Sequence, residues 1–261
     1  MQGIRTLKSV VEGLRTIDLP PLRRPSVRPS DPKTEELVGW GICMFVYPMI
    51  AQTRKILIGL VQLAEAENVA ASAPLCRHVF EWTALSCYLK GQLTDQFKEK
   101  DWEGAWNLLT TVALGSSWNQ RYGSKYAGDP PVSIPITIPQ PIHVRVAVAE
   151  YEKYQSQNSR DAEARDSYSL LCEFTHPNAA CLLPHYQYEE NEAVTRFIDP
   201  DHDPQRGSFL PFVNCCLIDM LTFCCELLEL AGEIEVRPKV GVVLKALVEV
   251  APARLTGSSP A

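Results

Sequence analysis

An arginine and a glutamate four residues apart, Arg77 and Glu81, sit inside the apolar stretch PLCRHVFEWTALSCYL over 74–89. Wound as an α-helix at about 100 degrees per residue, the stretch places Glu81, Ala84 and Tyr88 within roughly 40 degrees of Arg77. Leu75, Val79, Phe80, Trp82, Leu85 and Leu89 take up most of the remaining circumference, and a helix that is apolar nearly all round is a buried one. A guanidinium and a carboxylate on such a helix face an interior or a cleft, where the pair serves either helix packing or chemistry. Arginine ahead of glutamate at this spacing is the weaker order for a simple surface pair, so further partners are expected.

A second polar set lies in RDSYSLLCEFTHPN over 165–178. Leu170, Leu171 and Phe174 supply an apolar packing face; Arg165, Ser169, Cys172 and His176 share the opposite one, with Tyr168 at its border. His176 stands at the expected helix end, where the negative pole of the helix dipole favours the imidazolium form. Such a histidine suits proton donation or phosphate binding, and its commoner use is to satisfy terminal carbonyls. Arg77, Glu81, Tyr168 and His176 are therefore the candidate catalytic residues, with Arg165, Cys172 and Asn178 as further ligand contacts. Arginine offers a fixed fork for phosphate oxygens, Tyr168 a hydroxyl or a stacking surface, and Glu81 holds the arginine in place. The competing reading is a non-enzymatic interaction or scaffold module, in which the same side chains lock two helices together.

The Arg-x3-Glu helix (Arg77, Glu81) followed by Tyr-x2-Leu-x4-His-Pro (Tyr168, Leu171, His176, Pro177) resembles a family of uncharacterised bacterial proteins with a HEPN-like all-helical domain, over roughly residues 69–180. The resemblance implies a helical bundle, frequent dimerisation and, in many relatives, RNA cleavage in toxin or phage-defence systems. Those relatives carry an arginine four to six residues before the histidine. Here Ser169, Leu170 and Leu171 stand at the corresponding positions and Arg165 is too far upstream, so only Arg77 from another helix could take that part.

Other chemistry is weaker. Asp199, Asp201 and His202, with His185, offer carboxylate and imidazole ligands for a divalent metal and so a metal-dependent hydrolase, but acids beside prolines are ordinarily turn formers. Cys172 and His176 at i,i+4 could be written as a thiol–imidazole pair, yet no third orienting group or oxyanion hole accompanies them. No P-loop, dinucleotide fingerprint, zinc spacing or nucleophile elbow occurs. No cofactor and no metal is expected.

The elements that must position these residues can be read from the chain. The 261 residues are 46% hydrophobic, enough to bury a full core. Nine cysteines, an odd number with adjacent pairs at 215–216 and 224–225, read as small hydrophobes in a helical core and, with Arg5, Lys8, Glu12 and Arg15 interrupting the start, point to the cytoplasm. The apolar run over 37–51 is about fifteen residues, short of the roughly 20 a spanning helix needs, so no membrane span is expected. A net charge of −6 argues against bulk binding of double-stranded DNA. Six basic residues against two acids in the first thirty make a basic arm on an acidic body, and such an arm most simply docks on that body.

The predicted fold is all-α: a helical bundle with one small β-hairpin and a proline-rich irregular insertion. Residues 1–32 form an amphipathic helix, with Ile4, Leu7, Val10, Val11 and Leu14 at helical spacing, and a proline-rich arm. Residues 33–250 form the bundle, with a kink or break at Pro48, a stop near Gly91, an irregular insertion over 115–141 and a hairpin over 181–198; 251–261 is a disordered tail. The apolar helix over 209–231 should be central, with Asn214, Asp219, Thr222, Glu226 and Glu229 as a wet stripe and Gly232 as its stop. The amino-terminal helix and the proline-rich segments suggest surfaces for a second copy, and hence a homodimer.

Overall fold

The apolar positions of the first helix are spent within the chain. In the computed structural model, which describes residues 2–23, 25–26, 32–66, 68–114, 142–158, 163–175, 186–188, 195–197 and 209–250, α1 (Gln2–Arg15) buries Leu7, Val10, Val11 and Leu14. It packs on α2 (Glu35–Glu65), α7 (Phe209–Leu230) and α8 (Val236–Val250). The basic helix therefore docks on the acidic body, with Lys8 paired to Glu65. It is a stave of the bundle, its apolar stripe packed within the chain.

Thr34 caps α2, its hydroxyl accepting from the Leu37 amide at 3.2 Å. The helix then runs through Pro48 without the break that is one of the two expectations there. A proline in a helix removes one backbone hydrogen bond, and the burial of Val46, Tyr47, Met49 and Ile50 around it outweighs that loss. Gly39 lets α2 approach the end of α7, since a Cβ there would lie 3.0 Å from the Ala231 carbonyl oxygen. Among the described residues α2 alone is long and apolar enough to cross a membrane by length and composition.

α3 (Val69–Glu99) is capped by Asn68, which accepts from the Ala71 amide at 3.0 Å. It passes through Gly91, where the sequence predicts a stop, as burial continues to Leu93. The stop falls at Lys100, which takes the left-handed conformation at φ 57°. α3 packs against α2, α4 (Trp102–Leu114), α5 (Val144–Gln157), α6 (Ala164–Thr175) and α7. Phe80 lies at the meeting point, fully buried, 6.0 Å from the Tyr168 ring, 5.7 Å from Phe212 and edge-on to Tyr151 at 5.8 Å.

α7 ends as the sequence indicates. Gly232 adopts φ 67°, and the amides of Gly232 and Glu233 return to the carbonyls of Glu229 and Leu228. Its polar stripe is wet only at the far end: Glu229 is exposed, but Asn214 and Asp219 are buried. α8 follows, with the Glu233 carboxylate accepting from the amides of Glu235 and Val236.

Among the described residues the fold is thus an all-α bundle. Tyr186–Tyr188 and Thr195–Phe197 run antiparallel over three residues each; this short pairing does not support a hairpin element over 181–198, and the rest of that span lies outside the described residues. Residues 115–141 and 251–261, together with His176, Asn178, His185, Asp199, Asp201 and His202, also lie outside them.

Candidate functional site

Helical spacing sets both halves of the site. Arg77 and Glu81 stand one turn apart on α3, and Tyr168, Cys172 and Thr175 lie on one face of α6 at i, i+4 and i+7. Where the helices meet, each nitrogen of the guanidinium donates to a different acceptor. Nε reaches Glu81 Oε1 at 2.8 Å, Nη1 reaches Thr175 Oγ1 at 3.1 Å, and Nη2 reaches the Tyr168 hydroxyl at 3.3 Å. The guanidinium carbon also lies 5.4 Å from the Tyr168 ring centroid. The ion pair is only partly withdrawn from water, with side-chain exposures of 28% for Arg77 and 30% for Glu81.

Burial works against the charge on Arg77, but the hydrogen bond and charge of Glu81 outweigh it and hold the guanidinium above its ordinary pKa. Burial also raises the Tyr168 phenol, as does its hydrogen bond with Cys172, against the opposing charge of Arg77. Arg77 is therefore a fixed cation and Tyr168 a protonated phenol, neither of them a base at neutral pH. Tyr168 is 9% exposed and packed on Phe80, so its ring leaves no face for a nucleobase and the expected stacking role is withdrawn.

Three of the four predicted catalytic residues, Arg77, Glu81 and Tyr168, are brought together. The fourth, His176, follows Thr175 in sequence and lies outside the described residues, as does Asn178. Arg165 does not join them. Its guanidinium pairs with Glu152 of α5 at 2.8 Å and is 66% exposed. The packing face of α6 also differs from expectation: Ala164, Tyr168 and Leu171 are buried while Leu170 is 51% exposed. Tyr168 wins the interior place because its ring packs on Phe80 and its hydroxyl finds Arg77, so no polar group is stranded. Cys172 is half-buried on the same face of α6 as Tyr168 and Thr175, hydrogen-bonded to Tyr168 beside Arg77.

Sequence reasoning missed three residues. Thr175 has no signature beyond its i+7 spacing from Tyr168. His78 and Trp82 line a cavity of about 240 Å³ with Glu81 and Leu85 of α3 and Ile142, Val144 and Ala147 at the start of α5. The His78 and Trp82 rings lie 5.8 Å apart. Burial pushes the His78 pKa down against the pull of Glu81, leaving the imidazole neutral at physiological pH.

Elsewhere among the described residues the buried thiols belong to the core. Burial raises the thiols of Cys43, Cys76 and Cys87 to about 11, 12 and 12, and those of Cys216 and Cys224 as well, which suits small core hydrophobes rather than nucleophiles. Among the described residues no group of three or more histidines, cysteines or acids is placed to hold a metal. Comparison with family models, with curated proteins and with solved structures finds no match to this chain.

Proposed function

We propose that the junction of α3 and α6 is a recognition site for a phosphate-bearing ligand, RNA or a nucleotide, on a HEPN-like helical bundle. The observation that carries this reading is the state of Arg77. A guanidinium has five N–H donors in a fixed plane. Glu81, Thr175 and Tyr168 take one from each nitrogen, leaving one N–H on each Nη. A partly exposed arginine held this way presents a preorganised fork, whose ordering is already complete before a phosphate arrives.

His176, directly after Thr175, is the proposed proton donor or second cation. With it the site would be a divergent ribonuclease or another phosphodiester-acting enzyme, of the kind found in toxin or phage-defence systems; without it, a binding module. The homodimer belongs to this proposal through surfaces other than the Leu7, Val10, Val11 and Leu14 stripe, which is buried against its own chain. The test is binding of a short single-stranded RNA and its cleavage by wild type, Arg77→Gln and His176→Ala. Loss of binding in Arg77→Gln supports the reading; equal binding by all three overturns it. Loss of cleavage alone in His176→Ala assigns the enzyme.

The same contacts favour one second reading. Arg77 ties α6 to α3 through Thr175 and Tyr168, so the cluster could be a helix lock in a non-catalytic interaction module. In that case Arg77→Gln lowers the melting temperature and changes no ligand binding.

A further inference from the structure

Glu81 serves two neighbourhoods. Its Oε1 accepts from Arg77, and the same side chain forms part of the wall of the 240 Å³ cavity beside His78 and Trp82. We propose that this cavity receives a guanine base whose phosphate lies on Arg77, so that the ligand is a guanine nucleotide or an unstacked guanine in single-stranded RNA. Only the phosphate half of this inference rests on the reading given above.

The volume comes first. It falls below the roughly 300–1,000 Å³ of pockets for drug-sized ligands, which leaves room for a single flat heterocycle. The walls are suited to one. Trp82 offers an indole surface, Leu85, Ile142, Val144 and Ala147 are apolar, and bases taken out of a stack are held on such aromatic surfaces.

The carboxylate then selects among bases. An ionised Glu81 only accepts hydrogen bonds; Oε1 takes one from Arg77 and keeps a second lone pair beside Oε2, so both oxygens face the two donors of a base edge. Guanine presents two adjacent donors, N1–H and the exocyclic amine. Adenine and cytosine each place a ring-nitrogen acceptor next to their amine, and uracil flanks its single N–H with two carbonyls, so all three bring a lone pair against the carboxylate. Arg77 and Glu81 meet at 2.8 Å through Nε and Oε1, so a base edge on the carboxylate and a phosphate on the outer Nη donors lie on adjoining sides of one ion pair.

The experiment titrates the full chain with guanosine monophosphate, adenosine monophosphate, guanosine and ribose 5-phosphate. It is repeated with Trp82→Leu and with Val144→Phe, which fills the cavity from α5; far-UV circular dichroism confirms that each variant is folded. Guanosine monophosphate should bind about tenfold or more tightly than adenosine monophosphate. Trp82→Leu or Val144→Phe should weaken it by about tenfold to a hundredfold and leave ribose 5-phosphate unchanged. A uridine oligomer with one guanosine that binds more tightly than the mononucleotide assigns RNA as the source, and the reverse assigns the free nucleotide. If ribose 5-phosphate binds but guanosine monophosphate binds no better and neither variant matters, the base pocket is overturned while the phosphate reading stands. If guanosine binds through Trp82 and ribose 5-phosphate does not, the base pocket stands and the phosphate reading falls.

Discussion

Arg77 and Thr175 are 98 positions apart in sequence and 3.1 Å apart in space, and this one bond marks where α6 is fastened to α3. Because Arg77 and Glu81 keep nearly a third of their side-chain surface in water, the pair is worth less than a fully buried one. Arg77→Ala should therefore destabilise the fold by about 1–3 kcal/mol, below the 3–5 kcal/mol of a buried pair broken on one side. Arg77→Lys should recover much of the stability but not the ligand binding, since an ammonium cannot reproduce the fork. Chemical denaturation read beside an RNA-binding titration separates the two effects, and equal loss of both in Lys and Ala would contradict the fork argument.

The Tyr151 hydroxyl donates to Asp219 Oδ2 at 2.6 Å, and the two residues are 1% and 2% exposed. A carboxylate this deep depends on its donors. Tyr151→Phe should cost about 1.5–3 kcal/mol, the range for a hydrogen bond to a charged group. Urea unfolding checks it, and a change under about 0.5 kcal/mol would show that other groups carry the carboxylate.

Glu233 joins three elements, accepting from the Tyr47 hydroxyl at 2.6 Å and from the first amides around α8. Burial opposes its ionisation, but Tyr47, the amides and Lys239 prevail, so its pKa lies below the ordinary 4.5. The folded state thus binds this proton less readily than the unfolded one. Its contribution is fully present above about 4.5 and lost as pH falls through the folded value. Glu233→Gln should flatten that part of the stability profile, and an unchanged slope would exclude Glu233 as the cause.

His78 titrates in a different window. Its folded pKa is lowered from 6.5, chiefly by burial, so the unfolded chain gains the proton first as pH drops. Stability should decline as pH falls through about 6.5 and level off once the folded value is passed. His78→Asn should remove the decline, as followed by thermal unfolding at pH 5 to 8.

Much of this was legible from residue spacing. The α1 stripe followed from Leu7, Val10, Val11 and Leu14, and the Arg77–Glu81 helix from its apolar surroundings; both are local patterns of period 3.6. The misreadings share a cause. By residue type alone Leu170 belongs inside and Asp219 in water, yet Tyr168 and Asp219 are buried because each finds a partner on another helix, Arg77 and Tyr151. Helix periodicity says which residues share a face and nothing about what a distant helix brings to it. Pro48 and Gly91 were read as punctuation for the same reason: tertiary burial carries α2 and α3 through both.

The seam between α1 and α8 bears on how the protein is made. Gly13 faces Val243 so closely that a Cβ there would stand 3.0 Å from its Cγ2. α1 leaves the ribosome more than 200 residues before α8 does, which at about 5–20 residues per second is some 10 to 40 seconds. Through that interval the α1 face around Val10 and Gly13 lacks the cover of α8, and nascent chains stalled before α8 should be the form that chaperones hold and proteases cut.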